Sequence, residues 1–167
     1  ASTLALASGN LSSTLHHYPL GYAAIAAPFT NLTEVHPFYL VNLLAFIGAC
    51  HVFTKICGVF SIDKIVAVFL FVFSIFADAL IFQQFTTPWS TTPVVLYVYV
   101  ILYITIRENV PELPSVVGVA AVAAVLIVTR PSDIIVVLPA GLALIWRLFN
   151  AFGAKRALLF LAAGAAT

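Results

Sequence analysis

Five long apolar runs, each closed by a polar or proline-containing break, leave this chain few ways to fold. They cover residues 37–54, 65–82, 89–106, 111–129 and 131–149. Each is close to the roughly 20 residues a helix needs to cross the hydrocarbon core of a bilayer. Lipid offers backbone groups no hydrogen bonds, so the interior of each run is predicted to be helical. The frequent β-branched residues do not argue for strands. A membrane β-barrel alternates apolar and polar residues, whereas 65–76 holds Ser74 as its only polar residue.

Composition points the same way. The 167 residues are 63% hydrophobic and 8% charged, against roughly 25% charged in an average soluble domain. A chain of this size buries only about 70% of its surface. As a soluble domain it would show water one broad apolar patch. The expected fold class is therefore all-α: a polytopic membrane helix bundle of about five spanning helices over 37–167. Residues 1–36 precede it as an outer-face segment. The apolar stretch that ends at Phe29 is too short to span, so it is expected to be re-entrant or interfacial.

The breaks agree with this reading. Residues 61–64 form a polar turn, and 83–92 a polar loop with an interfacial Trp89. Residues 107–114 carry two prolines, and 129–133 turn the fourth span into the fifth, with Pro131 suited to a first helical turn. Residues 157–166 are too short to span and read as the start of a sixth helix.

Orientation follows from the basic residues, which favour the cytoplasmic side. With the N-terminus outside, Lys55, Lys64, Arg107, Arg147, Lys155 and Arg156 all fall inside, and Arg130 alone of the seven falls outside. The triplets Asn10-Leu-Ser12 and Asn31-Leu-Thr33 then become candidate glycosylation acceptors on the outer side. A net charge of +1 offers no electrostatic case for nucleic acid. Cys50 and Cys57 lack metal-ligand spacing and read as plain buried thiols.

The candidate binding residues gather on the same outer side: His16, His17, Tyr18, Glu34, His36, Asp78, Arg130 and Asp133. Asp78 lies in the outer third of the second span, where an ionisable group costs at least about 2.5–3.5 kcal/mol on insertion scales. It is expected to point into the bundle, towards a polar partner from another segment. Arg130 and Asp133 are three apart at a helix start and can share one face. Between them a local ion pair and a phosphate-binding guanidinium both remain open. His16 and His17 lack a third ligand, so no metal is expected. His51, near Lys55, reads as a packed histidine, and Glu34 and His36 as loop residues at the entry to the first span. No nucleotide, zinc-protease or nucleophile-elbow motif is present, so no cofactor is expected.

Three segments resemble a known family. Tyr18-Pro-Leu-Gly-Tyr-Ala-Ala-Ile-Ala-Ala-Pro-Phe29 is similar to a Tyr-Pro-x-Gly-Tyr…Ala-Pro-Phe segment of polytopic glycosyltransferases of the GT-C type, which use polyprenyl-phosphate sugars as donors. His36-Pro-Phe-Tyr-Leu-Val-Asn-Leu-Leu44 resembles the start of the next helix, and Thr129-Arg-Pro-Ser-Asp-Ile-Ile-Val-Val-Leu-Pro139 an Arg-Pro segment that opens a later one. The resemblance covers residues 18–149 and implies an active site at the outer face. Family members carry an acidic residue in the first outer loop, as catalytic base or acceptor-binding group. Residues 1–17 hold neither Asp nor Glu. A preceding helix is also missing, methionine is absent even at position 1, and members run to several hundred residues. The resemblance thus implies an internal excerpt or partial homologue, and no catalytic base is carried over.

The expected function is membrane glycosyl transfer, in whole or part, from a lipid-phosphate donor. The alternatives are a non-enzymatic membrane subunit of a larger assembly and a small transporter with Asp78 as coupling site. Expected partners are membrane lipid, the polyprenyl-phosphate sugar and neighbouring membrane subunits.

Overall fold

The computed structural model describes residues 7–9, 20–32, 37–87, 90–107 and 112–165. These residues are all-helical, with no strand among them. The elements are α1 (Leu20–Ala26), which runs into a 3-10 turn at Ala27–Phe29, then α2 (Phe38–Val59), α3 (Lys64–Phe76), α4 (Ala79–Thr86), α5 (Thr91–Ile106), α6 (Leu113–Thr129), a 3-10 turn at Pro131–Asp133, and α7 (Ile134–Ala165).

Two of these helical stretches, Phe38–Val59 and Pro131–Ala165, are long and apolar enough to cross a membrane. A third is added if α3 and α4 count as one broken span. Three shorter apolar helices remain: Leu20–Phe29, α5 and α6. The last two have 16 and 17 residues, or about 24 to 26 Å of rise against a hydrocarbon core of about 30 Å.

The main core lies between α5, α6 and α7. Ile101, Leu126 and Leu148 are almost wholly buried there, with Val94, Val116, Val119 and Leu144 around them. A second core joins α2 to α3 and α5 through rings: Phe46 and Phe53 flank Phe71, and Phe53 also meets Tyr99. The outward faces are apolar as well. Ile65, Phe69, Phe73 and Phe76 on α3, and Ile135, Leu138, Leu142 and Trp146 on α7, are all exposed. Lipid tolerates such faces and water does not.

Three details differ from the sequence reading. The first span does not end at Thr54: α2 continues to Val59. It closes on a Schellman turn, in which Ile62 N–H reaches Cys57 O and Ser61 N–H reaches Gly58 O, with Ser61 at φ 58°.

The second span is not one helix. It breaks after Phe76 and turns by 98° into α4. The cause is Asp78 itself, whose backbone is extended (φ −130°, ψ 125°) and whose carboxylate caps the new helix. Asp78 is therefore exposed and bonded locally. It does not point into the bundle at a partner from another segment, as its burial cost had suggested. A capping aspartate satisfies the free N–H groups of a helix start, so the same residue ends one helix and begins the next.

The fifth span runs past Phe149 to a break at Gly153, whose φ of 70° and ψ of 167° no helix contains. Helix resumes at once, and Gly164 comes to rest on α6, where an added Cβ would lie 3.4 Å from both Val116 and Ala120. The short additional helix expected near 157–166 is this second part of α7.

Candidate functional site

Contacts between elements sort the helix termini into two ends. At one end lie the start of α2, α4, the start of α5, the end of α6 and the Pro131–Asp133 turn. This is where the structure places Arg130, Asp133 and Asp78.

Arg130 follows the last residue of α6, at φ −158°. Its Nε lies 3.2 Å from Asp133 Oδ2, with the two side chains 43% and 20% exposed. The pairing three residues apart expected from sequence is present. Ser132 donates to the other carboxylate oxygen at 3.0 Å. Arg130 Nη1 donates to Thr91 Oγ1 at 3.2 Å, and Thr91 in turn donates to Gln84 Oε1 at 3.0 Å. A polar chain thus runs from α4 through the first residue of α5 to the turn that opens α7.

The Pro131–Asp133 turn offers few backbone donors of its own. Pro131 has no N–H, Asp133 N–H is bonded to Arg130 O, and Ile134 N–H is bonded to Pro131 O. The guanidinium carries five N–H groups, of which the two contacts above engage two. The side chain can hold an anion without giving up Asp133 or Thr91.

Next to it sits a buried hub. Tyr22 donates to Asn42 Oδ1 at 2.8 Å, and Asn42 Nδ2 donates to Thr87 O at 2.9 Å. Asn42 is only 4% exposed. Burial raises the Tyr22 hydroxyl above its ordinary range, an effect the Asn42 bond partly offsets, so Tyr22 remains a neutral donor. Gly21 brings α1 directly against the end of α6: a Cβ there would stand 2.7 Å from Thr129 N and Oγ1. Helix α1 is thereby docked beside Arg130. Thr92, one residue into α5, is fully buried, and its hydroxyl has no hydrogen-bond partner.

Gln84, Thr91 and Asn42 were not singled out from sequence. Thr91 and Arg130 are 39 residues apart, and nothing local connects them. His16, His17, Tyr18, Glu34 and His36 lie outside the described residues. Among the described residues no three His, Cys, Asp or Glu side chains come together to hold a metal ion. Cys50 and Cys57 are free thiols.

The opposite end holds Lys55, Lys64, Arg107, Arg147, Lys155 and Arg156. Here two arginines close helix ends. Arg147 donates to Thr105 O and, at 2.9 Å, to Arg107 O, satisfying the last carbonyls of α5. Arg107 donates to Ser115 at the start of α6.

Fold and site together define a chain that is all-helical over its described residues, whose long apolar helices suit a bilayer, with an arginine-centred polar site at the end that holds Arg130. No family model, no curated protein and no solved structure matches the chain.

Proposed function

We propose that this chain is a membrane glycosyltransferase, or part of one, that takes a sugar from a polyprenyl-phosphate donor at the outer membrane face, with Arg130 holding the donor phosphate. The observation that carries this reading is the half-exposed Arg130 guanidinium, which Asp133 and Thr91 hold in place while N–H donors remain for an anion. In such a transfer the acceptor hydroxyl attacks the anomeric carbon and the sugar–phosphate bond breaks. Negative charge grows on the departing phosphate, where a fixed guanidinium stabilises it. Asp133 positions Arg130 in this scheme. Asp78 and Asp133 are both engaged, so neither is assigned as base.

The same reading takes α2, α3 with α4, α5, α6 and the first part of α7 as five crossings. The bilayer thins locally to meet α5 and α6 and the still shorter α3. Six basic residues at the end away from Arg130 put that end inside and the N-terminus outside. Helix α1 and its 3-10 turn, too short to cross, lie at the outer interface.

A second reading, a non-enzymatic subunit of a larger membrane assembly, draws on the engaged carboxylates and on the exposed apolar faces of α3 and α7. One experiment separates the two. Binding of a polyprenyl-phosphate analogue is measured for the native chain and for Arg130→Lys, which keeps the charge but loses the planar fork. The enzyme reading expects affinity to fall about tenfold, the loss of roughly one charge-assisted hydrogen bond. Equal affinity in the two, or none in either, removes the phosphate site and leaves the subunit.

A further inference from the structure

The break at Gly153 leaves two cations in an unfavourable place. Lys155 and Arg156 fall in the first turn of the helix that resumes there, and both are exposed. The start of a helix carries partial positive charge and disfavours cations. The described carboxylates lie elsewhere. Asp63 and Asp78 cap α3 and α4, Asp133 pairs with Arg130, and Glu112 begins α6, by the far end of this segment, where Gly164 meets Val116.

The surroundings say what kind of anion fits. Ala157, Phe160, Leu161 and Gly164 form the stripe that packs against the bundle. The opposite side is apolar and bare: Leu158 is 58% and Leu159 69% exposed. Before the break, Trp146 is also 69% exposed, seven residues ahead of Gly153. A cationic pair at the bundle end thus stands directly beside apolar surface that needs covering. A free anion answers only the first need. A phospholipid answers both, with its phosphate at the cations and its acyl chains along the leucines.

We infer that Lys155 and Arg156 form a headgroup site for an anionic phospholipid in the leaflet opposite Arg130. This inference rests on the membrane reading of the chain and not on glycosyl transfer. The site differs from that of Arg147, which is engaged with the end of α5.

The test uses the full chain carrying Trp89→Phe, so that Trp146 is its single tryptophan, in nanodiscs of phosphatidylcholine and phosphatidylglycerol. Bromine-labelled acyl chains are placed on one lipid or the other, and quenching of Trp146 reports which lipid sits beside it. Each cation near a charged lipid surface is worth about fivefold, so the pair is expected to enrich phosphatidylglycerol by up to about thirtyfold over phosphatidylcholine. Lys155→Gln with Arg156→Gln is expected to bring the two lipids close to parity. Lys155→Arg with Arg156→Lys is expected to keep the preference. Equal quenching by both lipids in the chain with native Lys155 and Arg156 overturns the site without any charge variant having to fold. A preference unchanged by the glutamine pair overturns it too, as does a preference abolished by inorganic phosphate, which would mark a site for a free anion.

Discussion

At one end of the bundle Arg147 reaches across to α5 and donates to the carbonyls of Thr105 and Arg107, where the helix stops. At the other end Arg130 pairs with the aspartate three residues on, touches Thr91, and leaves its side chain 43% exposed. Both are arginines that bond at the end of a helix in an apolar chain. The first is tied to backbone groups of another helix that have no other partner among the described residues. The second is tied to side chains that would find other partners without it. An arginine used as a cap is part of the fold, whereas one held but not consumed is available to a ligand.

Four substitutions break or sharpen this contrast, each read as unfolding free energy of the purified protein in mild detergent under increasing denaturant. Arg147→Ala removes a charged donor from two carbonyls, and hydrogen bonds to charged groups contribute about 1.5–3 kcal/mol each, so a loss of about 3 kcal/mol is expected. A loss below about 1 kcal/mol would mean that water or lipid headgroups replace the cap, and the contrast would fail there. Asn42→Leu comes next. It removes the partner of the buried Tyr22 hydroxyl and of the partly buried Thr87 carbonyl, at about 2 kcal/mol. Because the Tyr22 bond holds α1 to α2, protease cleavage near α1 should rise in parallel.

Asp78→Ala removes the cap of α4 and is expected to cost about 1 kcal/mol. A cost of several kcal/mol would instead mark Asp78 as the buried partner of another group, which its exposure contradicts. Arg130→Ala should cost least. A partly exposed ion pair is worth about 0–1 kcal/mol, and Asp133 can keep its bond to Ser132. The same variant should lose most of the binding of a polyprenyl-phosphate analogue. A variant that is unstable and still binds would invert the comparison of the two ends.

Much of this was legible along the chain. The apolar runs, their polar and proline-containing breaks, and the placement of Arg130 three residues before Asp133 all follow from local spacing. So does the isolation of Arg130 from the other six basic residues, which the structure gathers at the opposite end. The site around Arg130 was only half legible. Thr91 and Gln84 are ordinary polar loop residues by composition, and Asn42 is one amide in an apolar helix. Their roles depend on which helices become neighbours.

Asp78 shows where sequence reading stops. An aspartate inside an apolar run looks the same whether it caps a new helix or faces the bundle interior. Its insertion cost argued for the interior, yet the backbone had a cheaper solution in a turn of 98°. Gly153 is similar, since glycine permits a left-handed break without demanding one. The sequence by itself determined that the chain is helical and apolar enough for a bilayer, because hydropathy and backbone satisfaction are properties of each segment alone. Tertiary structure decided where α3 turns, which side chains meet Arg130, and which arginines are consumed as caps. Those outcomes depend on contacts between residues tens of positions apart, and they turn on differences of a few kcal/mol that no single segment carries.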